Sequence, residues 1–296
     1  MGYLDLYVKF LKKFLKPRAL MRVVFDCSNG TTGIALRKFK IKNLEFKIIN
    51  GKPDGNFPAH GPNPMEKGAL GDLQSAVKKY KADLGVIFDA DGDRVFFVDD
   101  RGREASPDAI VGLLGMAARG NVILDVRCGY LARELLATAG KKIIDSRVGS
   151  YFIKKLMRQK KVNFSGELSA HYYFKDFFYA DAGIFAAIQM INQVSALKEK
   201  NQSLSGWFDS LPIYYRSGEV NFKVVDKKAV MKRIEDFYKK SAIKVSYLDG
   251  VKMEFKTWWF NIRPSNTENF LRLNLEAKDK KIFTQHLVEI QKLINQ

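Results

Sequence analysis

The chain of 296 residues has room for two or three compact domains at roughly 100–200 residues each. With 46% apolar and 28% charged residues it has the material of a real core, which excludes intrinsic disorder and collagen-like repeats. Its 50 Lys and Arg against 32 Asp and Glu leave a formal charge of +18 spread along the chain, so charge alone selects no partner among nucleic acid, acidic membrane and phosphorylated small molecules.

The first 16 residues place Leu4, Tyr7, Val8, Leu11, Phe14 and Leu15 at helical spacing, with Lys9, Lys12, Lys13 and Lys16 on the remaining surface. This predicts an amphipathic helix that docks on the domain behind it and stops at Pro17. The segment lacks the continuous apolar stretch and small-residue cleavage site of a secretory leader. Arg22-Val-Val-Phe-Asp26 then reads as a buried strand, followed by the polar turn Cys27-Ser-Asn-Gly30. Further strands are predicted at 46–50, 84–88 and 95–99. The opening pattern returns at Val122-Ile-Leu-Asp125 and Val126-Arg-Cys-Gly129, then a helix over 131–139, a strand at 142–145 and a helix over 151–158. A strand ending in Asp-x-x-x-Gly, met twice, predicts two related α/β units.

Near Leu211-Pro212 the pattern changes. A strand at 219–225, a helix over 227–239, strands at 243–248, 252–255, 258–262 and 271–276 and a final helix from Lys280 predict a small α+β domain. The fold class expected is therefore α/β: two tandem mixed α/β domains, 1–103 and 104–212, followed by an α+β domain, 213–296. No apolar run approaches the roughly 18–20 residues of a membrane span. Cys27 and Cys128 cannot build a disulfide framework, which suits a reducing cytoplasm.

Three segments carry candidate chemistry. Between two apolar strands stands Asp89-Ala-Asp-Gly-Asp-Arg94. Carboxylates at i, i+2 and i+4 of an extended loop project to one side, so Asp89, Asp91 and Asp93 can converge on a hard cation such as Mg²⁺. An EF-hand would need glycine where Arg94 stands, and helices where strands are predicted. A solvated acidic turn is the competing reading. Gly166-Glu-Leu-Ser-Ala-His171 offers Glu167, Ser169 and His171 on one short loop, a set able to hydrogen-bond several hydroxyls, with Tyr172, Tyr173 and Phe174 as an apolar floor. Structural roles in a turn and a core would use the same residues. Arg263-Pro-Ser-Asn-Thr-Glu268 lies between two strands, where a guanidinium, two hydroxyls and loop amides can cradle phosphate and where a polar hairpin would look alike. Walker, Gly-x-Gly-x-x-Gly, His-Glu-x-x-His, paired Cys-x-x-Cys and Gly-x-Ser-x-Gly sequences do not occur.

In this order, Asp26-x-x-Asn-Gly30, Pro62-Asn-Pro64, Asp89-Ala-Asp-Gly-Asp-Arg94, Val148-Gly149, Gly166-Glu-x-Ser-x-His171 and Arg263-Pro-Ser-Asn-Thr-Glu268 resemble the α-D-phosphohexomutases, in particular the phosphomannomutase/phosphoglucomutase group. The resemblance covers essentially the whole chain and implies intramolecular phosphoryl transfer on hexose phosphates. A phosphoserine gives its phosphoryl group to a hexose monophosphate, the resulting 1,6-bisphosphate reorients, and the other phosphate returns to the serine. It implies Mg²⁺ on Asp89, Asp91 and Asp93, and Arg94 facing the transferred phosphoryl group. Glu167 and Ser169 would bind sugar hydroxyls beside His171. Arg263, Ser265, Asn266, Thr267 and Arg147 would hold the other phosphate.

There are also departures from the family pattern. The family's Thr-x-Ser-His-Asn loop, which carries the phosphoserine in a preceding α/β domain, has no counterpart in these residues. The expectation is that the chain alone is inactive and that a separately encoded polypeptide supplies the serine domain. A gene start placed too late would explain the same observation, and a non-catalytic sugar-phosphate-binding or scaffold protein is the alternative. Neither nucleic acid nor a membrane is expected as a partner. Ala90 and Ala170 stand where the family prefers glycine, and Ser150 where it often has histidine. The two methyl groups matter if those positions need φ > 0.

Overall fold

In the computed structural model of the chain, residues 2–265 and 269–296 are described. The basic helix α1 (Tyr3–Lys12) buries Val8 and Leu11. It stops short of Pro17 because the next turn is captured from outside. Asn192 Nδ2 donates to Phe14 O (2.8 Å), Lys16 N donates to Asn192 Oδ1 (2.8 Å), and the ring of Phe14 packs edge-on against Phe185 at 4.8 Å.

Strands β1 (Met21–Asp26), β2 (Leu44–Ile49), β3 (Leu84–Phe88) and β4 (Val95–Asp99) form a sheet in the order β2-β1-β3-β4. The first three are parallel, crossed by α2 (Thr32–Leu36) and α3 (Gly71–Tyr80), and β4 returns antiparallel beside β3. The second unit opens with α4 (Pro107–Ala117). It continues through β5 (Val122–Asp125), α5 (Tyr130–Thr138), β6 (Ile143–Ser146), α6 (Ser150–Lys160), β7 (Phe164–Gly166), β8 (Tyr172–Phe174) and β9 (Ala180–Asp181). Its order, β6-β5-β7-β8-β9, repeats the first sheet with one strand added, again with three parallel strands and an antiparallel return. Asp26 and Asp125 end the equivalent strands β1 and β5.

The two units are less separate than their sequence pattern suggests. Helix α7 (Gly183–Glu199) is apolar over most of its surface, interrupted by the half-buried Gln189, Asn192 and Gln193, and is correspondingly buried over most of its length. It packs against β3 and β4 of the first sheet and against β8 and α4 of the second. One continuous core of buried side chains therefore runs through both sheets. Ser195 on α7 also accepts from the amides of Arg18 and Ala19 (2.9 Å each), fixing the connector ahead of β1.

After the short helix α8 (Leu204–Asp209), the C-terminal domain comprises β10 (Tyr215–Lys223), α9 (Lys227–Tyr238), β11 (Lys244–Ser246), β12 (Val251–Glu254), β13 (Trp258–Pro264), β14 (Phe270–Ala277) and α10 (Lys280–Asn295). Its sheet is antiparallel throughout, in the order β10-β14-β13-β12-β11, and has a core of its own. Asp226 and Asp279 cap α9 and α10 by accepting backbone amides of the first turn. Among the described residues no helix is long and apolar enough to cross a membrane.

The C-terminal domain meets the second unit through buried polar groups. Glu276 Oε2 accepts from Tyr130 N, at the start of α5, and from Trp259 Nε1, both at 2.7 Å. Lys252 Nζ lies 4.3 Å from the Trp259 ring and donates to Val126 O at 2.8 Å. Burial, reinforced by Arg133 and only partly offset by Glu254 and Asp145, pulls the Lys252 ammonium down to about 8. The folded chain thus holds this proton less tightly than the unfolded chain. The resulting cost is full below about pH 8 and is relieved as pH rises toward the range of free lysine. Stability of the natural chain relative to Lys252→Met, measured by urea unfolding, should therefore rise by about 2 kcal/mol between about pH 7 and pH 10. A difference that stays flat across that range refutes the assignment.

Candidate functional site

Both strands flanking the aspartate loop are buried along their whole length, so the polar run 89–94 is forced out at the carboxyl end of β3. Asp89 itself stays buried and folds the loop back on itself. Its Oδ1 accepts from Gly92 N (3.0 Å) and Arg94 N (3.2 Å), and its Oδ2 from Arg94 Nε (2.6 Å). Gly92 takes φ +81°, a left-handed turn that favours glycine. Oxygens of Asp89, Asp91 and Asp93 come within 4.8 Å of one another. Burial raises the Asp89 carboxyl, although Arg94 pulls the other way. The adjacent His171 ring, 3.6 Å from Asp93 Oδ1, holds Asp93 below the usual carboxylate range.

The turn after β1 supports this loop from behind. Thr31 N donates to Ala90 O (3.0 Å), and a Cβ on Gly30 would stand 2.2 Å from that same oxygen. The glycine of Asp26-x-x-x-Gly is thus set by close approach of two backbones. Asn63, in the Pro-Asn-Pro segment, accepts from Arg94 Nη1 at 3.2 Å and fixes the far end of that side chain.

The 167–171 loop joins β7 to β8 and lies edge to edge with the aspartate loop. Arg94 and His171 pair as an antiparallel bridge, and Val95 N donates to Ala170 O at 3.2 Å. Glu167 is buried, accepting from Gly149 N (3.0 Å) and from the Tyr173 hydroxyl (2.6 Å). Burial, with Asp125 close by, pushes its carboxyl up. Ser169 Oγ lies 3.1 Å from His171 Nδ1. Burial would lower the His171 imidazole, but Asp93 and Glu167 outweigh it and raise it. Ala170 adopts φ +65°, a conformation that costs an alanine about 1 kcal/mol, whereas Ala90 is not left-handed. Ser150 is exposed at the first position of α6.

Arg263, at the end of β13, and Ser265 are buried, while Asn266 and Thr267 lie outside the described residues. Arg263 Nη2 donates to Glu219 Oε2 at 2.8 Å. The same Glu219 accepts from Arg272 Nη1 at 3.2 Å and lies 3.4 Å from Arg127 Nη1. Arg127 was not among the residues singled out from sequence, yet it links the two loops. It is buried, held by Asp125 (Nη2 to Oδ2, 2.9 Å), and reaches Ser169 Oγ at 3.4 Å and Glu167 Oε1 at 3.8 Å. A lone arginine two residues after a buried strand ending in Asp was the available signal. Arg147 is exposed at the rim, with its guanidinium 4.2 Å from the Phe152 ring centre. The neighbouring Val148 amide donates to Asp249 of the C-terminal domain at 2.9 Å.

Comparison with known proteins covers nearly the whole chain. Family models of phosphoglucomutase/phosphomannomutase match in succession: alpha/beta/alpha domain II at 3–102, alpha/beta/alpha domain III at 106–215 and the C-terminal domain at 219–293. A phosphomannomutase of Methanocaldococcus jannaschii is 39% identical over 294 residues, which is 97% of this chain and 64% of that protein. One from Escherichia coli is 33% identical over 287 residues, 93% of this chain and 62% of that protein. The chain thus spans slightly less than two thirds of the length of these curated relatives. Among solved structures, a phosphoglucomutase/phosphomannomutase family protein of Burkholderia thailandensis superposes with TM-score 0.87 at 24% identity, over 98% of this chain and 63% of that one. The Aspergillus fumigatus N-acetylphosphoglucosamine mutase, solved in complex with GlcNAc-6P and magnesium, gives 0.70 at 13% identity, over 99% and 65%. At these identities the likeness is one of fold.

Proposed function

The chain belongs to the phosphoglucomutase/phosphomannomutase family, and from that premise we propose that its loops form the metal-, sugar- and phosphate-binding side of a phosphohexomutase site. The substrates are a hexose monophosphate and its 1,6-bisphosphate. The observation that carries the reading is the continuity of the three loops. Backbone pairing joins the aspartate loop to the 167–171 loop, and Arg127 and Glu219 join that loop to Arg263.

Asp89, Asp91 and Asp93 offer hard carboxylate oxygens close together, a donor set that fits Mg²⁺. When bound there, Mg²⁺ supplies neutralisation of the charge on a phosphoryl group in transfer. Arg94, fixed by Asp89 and Asn63, presents a guanidinium to the same phosphoryl group. Glu167 and Ser169 bind sugar hydroxyls, and His171, with its raised affinity for a proton, orients Ser169 and faces Asp93. Arg263 and Ser265, with Asn266, Thr267 and Arg147, hold the phosphate that is not being transferred.

The Thr-x-Ser-His-Asn loop does not occur in these 296 residues, so the phosphoserine that this reading requires comes from outside them. Conversion of mannose 1-phosphate to mannose 6-phosphate, followed by phosphorus NMR, tests this. The chain alone should show no turnover, and adding a phosphorylated serine domain encoded in the same genome should restore it. Turnover without the partner, or none with it, overturns the proposal.

A further inference from the structure

Strand β10 is interrupted just where it reaches the site. Its register against β14 shifts between Arg216 and Glu219, and Gly218 takes φ +64°. Such a bulge re-aims the side chain that follows it. That side chain is Glu219, and its carboxylate is the meeting point of three guanidiniums from two parts of the molecule. Oε2 accepts from Arg263 (2.8 Å) and lies 3.4 Å from Arg127, and Oε1 accepts from Arg272 (3.2 Å). Their combined attraction overcomes burial and holds Glu219 below the usual carboxylate range.

Three guanidiniums thus share the single Glu219 carboxylate, and of these Arg127 also lies beside Asp125 and Glu167. Arg263 Nε is buried with no hydrogen-bond partner among the described residues. A buried donor left unmatched among three guanidiniums is the environment an anion completes.

We propose that Glu219 is a positioning residue for the phosphate clamp: it aligns Arg263 and Arg127 across the domain boundary and competes with the substrate's phosphate monoester for their charge. The role rests on the functional reading above. It has two consequences of opposite sign. Neutralising Glu219 removes repulsion against an incoming phosphate dianion, which strengthens binding. It also loosens the link through Arg127 to Glu167 and Ser169, which slows turnover.

Glu219→Gln separates these effects, because the amide still offers an oxygen to Arg263 but carries no charge. Titration calorimetry of the chain alone with inorganic phosphate and with mannose 6-phosphate should show roughly five- to tenfold tighter binding than the natural chain. With the serine domain added, kcat should fall about tenfold while KM also falls. Glu219→Asp keeps the charge on a shorter arm. It should retain natural phosphate affinity but turn over slowly, and it keeps the proposal testable if the glutamine variant does not fold. A purely structural brace would instead weaken binding and lower the melting temperature together, and that result overturns the role. Because the binding measurements need no serine domain, failure of reconstitution leaves them intact. A natural chain that binds neither probe overturns the site reading and this role with it. Binding by the natural chain without gain in Glu219→Gln overturns the role alone.

Discussion

Asp89→Asn should lose Mg²⁺ binding and reduce turnover of the reconstituted enzyme by at least about a thousandfold. The substitution preserves size but replaces an anionic oxygen with an amide nitrogen, a donor facing another donor on Arg94 Nε, now 2.6 Å from Oδ2. The loop then lacks both a buried cation ligand and the charge that orients Arg94. Asp91 makes the informative contrast. It is exposed and has no comparable backbone role, so Asp91→Asn should weaken the metal without displacing Arg94. Calorimetric titration with Mg²⁺, beside turnover by phosphorus NMR, reads both. An Asp89→Asn chain that keeps its Mg²⁺ affinity and more than about a tenth of its turnover refutes the assignment.

Arg263→Ala should weaken binding of mannose 6-phosphate about a hundredfold, the worth of two charge-assisted hydrogen bonds to a dianion. Removing the buried guanidinium leaves Glu219 with Arg127 and Arg272, so the carboxylate is not stranded and the domain should remain folded. Arg263→Lys keeps the charge but not the planar fork, and it should recover only part of the loss, ending about tenfold weaker than the natural chain. Circular dichroism checks the fold while calorimetry measures the affinity. Unchanged affinity in Arg263→Ala moves the phosphate elsewhere.

The strands were legible because each is a short run of β-branched and aromatic residues punctuated by polar turns, as in 84–88 and 95–99. The repeat of two α/β units was legible from Asp26 and Asp125 ending equivalent strands. The aspartate and 167–171 loops stood out for a related reason: polar residues between two buried strands have only the sheet edge to occupy. Arg127 left only a faint trace, its place just beyond a strand ending in Asp, and Glu219 left none. Only folding brings the two together with Arg263. The partners of α7 were hidden too, since a largely apolar helix announces burial without saying between which sheets. The early end of α1 depends on Asn192, far along the chain, which no local preference encodes.

That placement of α7 has a consequence for how the chain is made. The first sheet is assembled from residues that leave the ribosome early, yet one of its covers is among the last pieces of the second unit to emerge. Without residues 183–199, β3 and β4 would lack one of their apolar covers. The two halves of the repeat are thus tied into one core, whereas the C-terminal domain has its own.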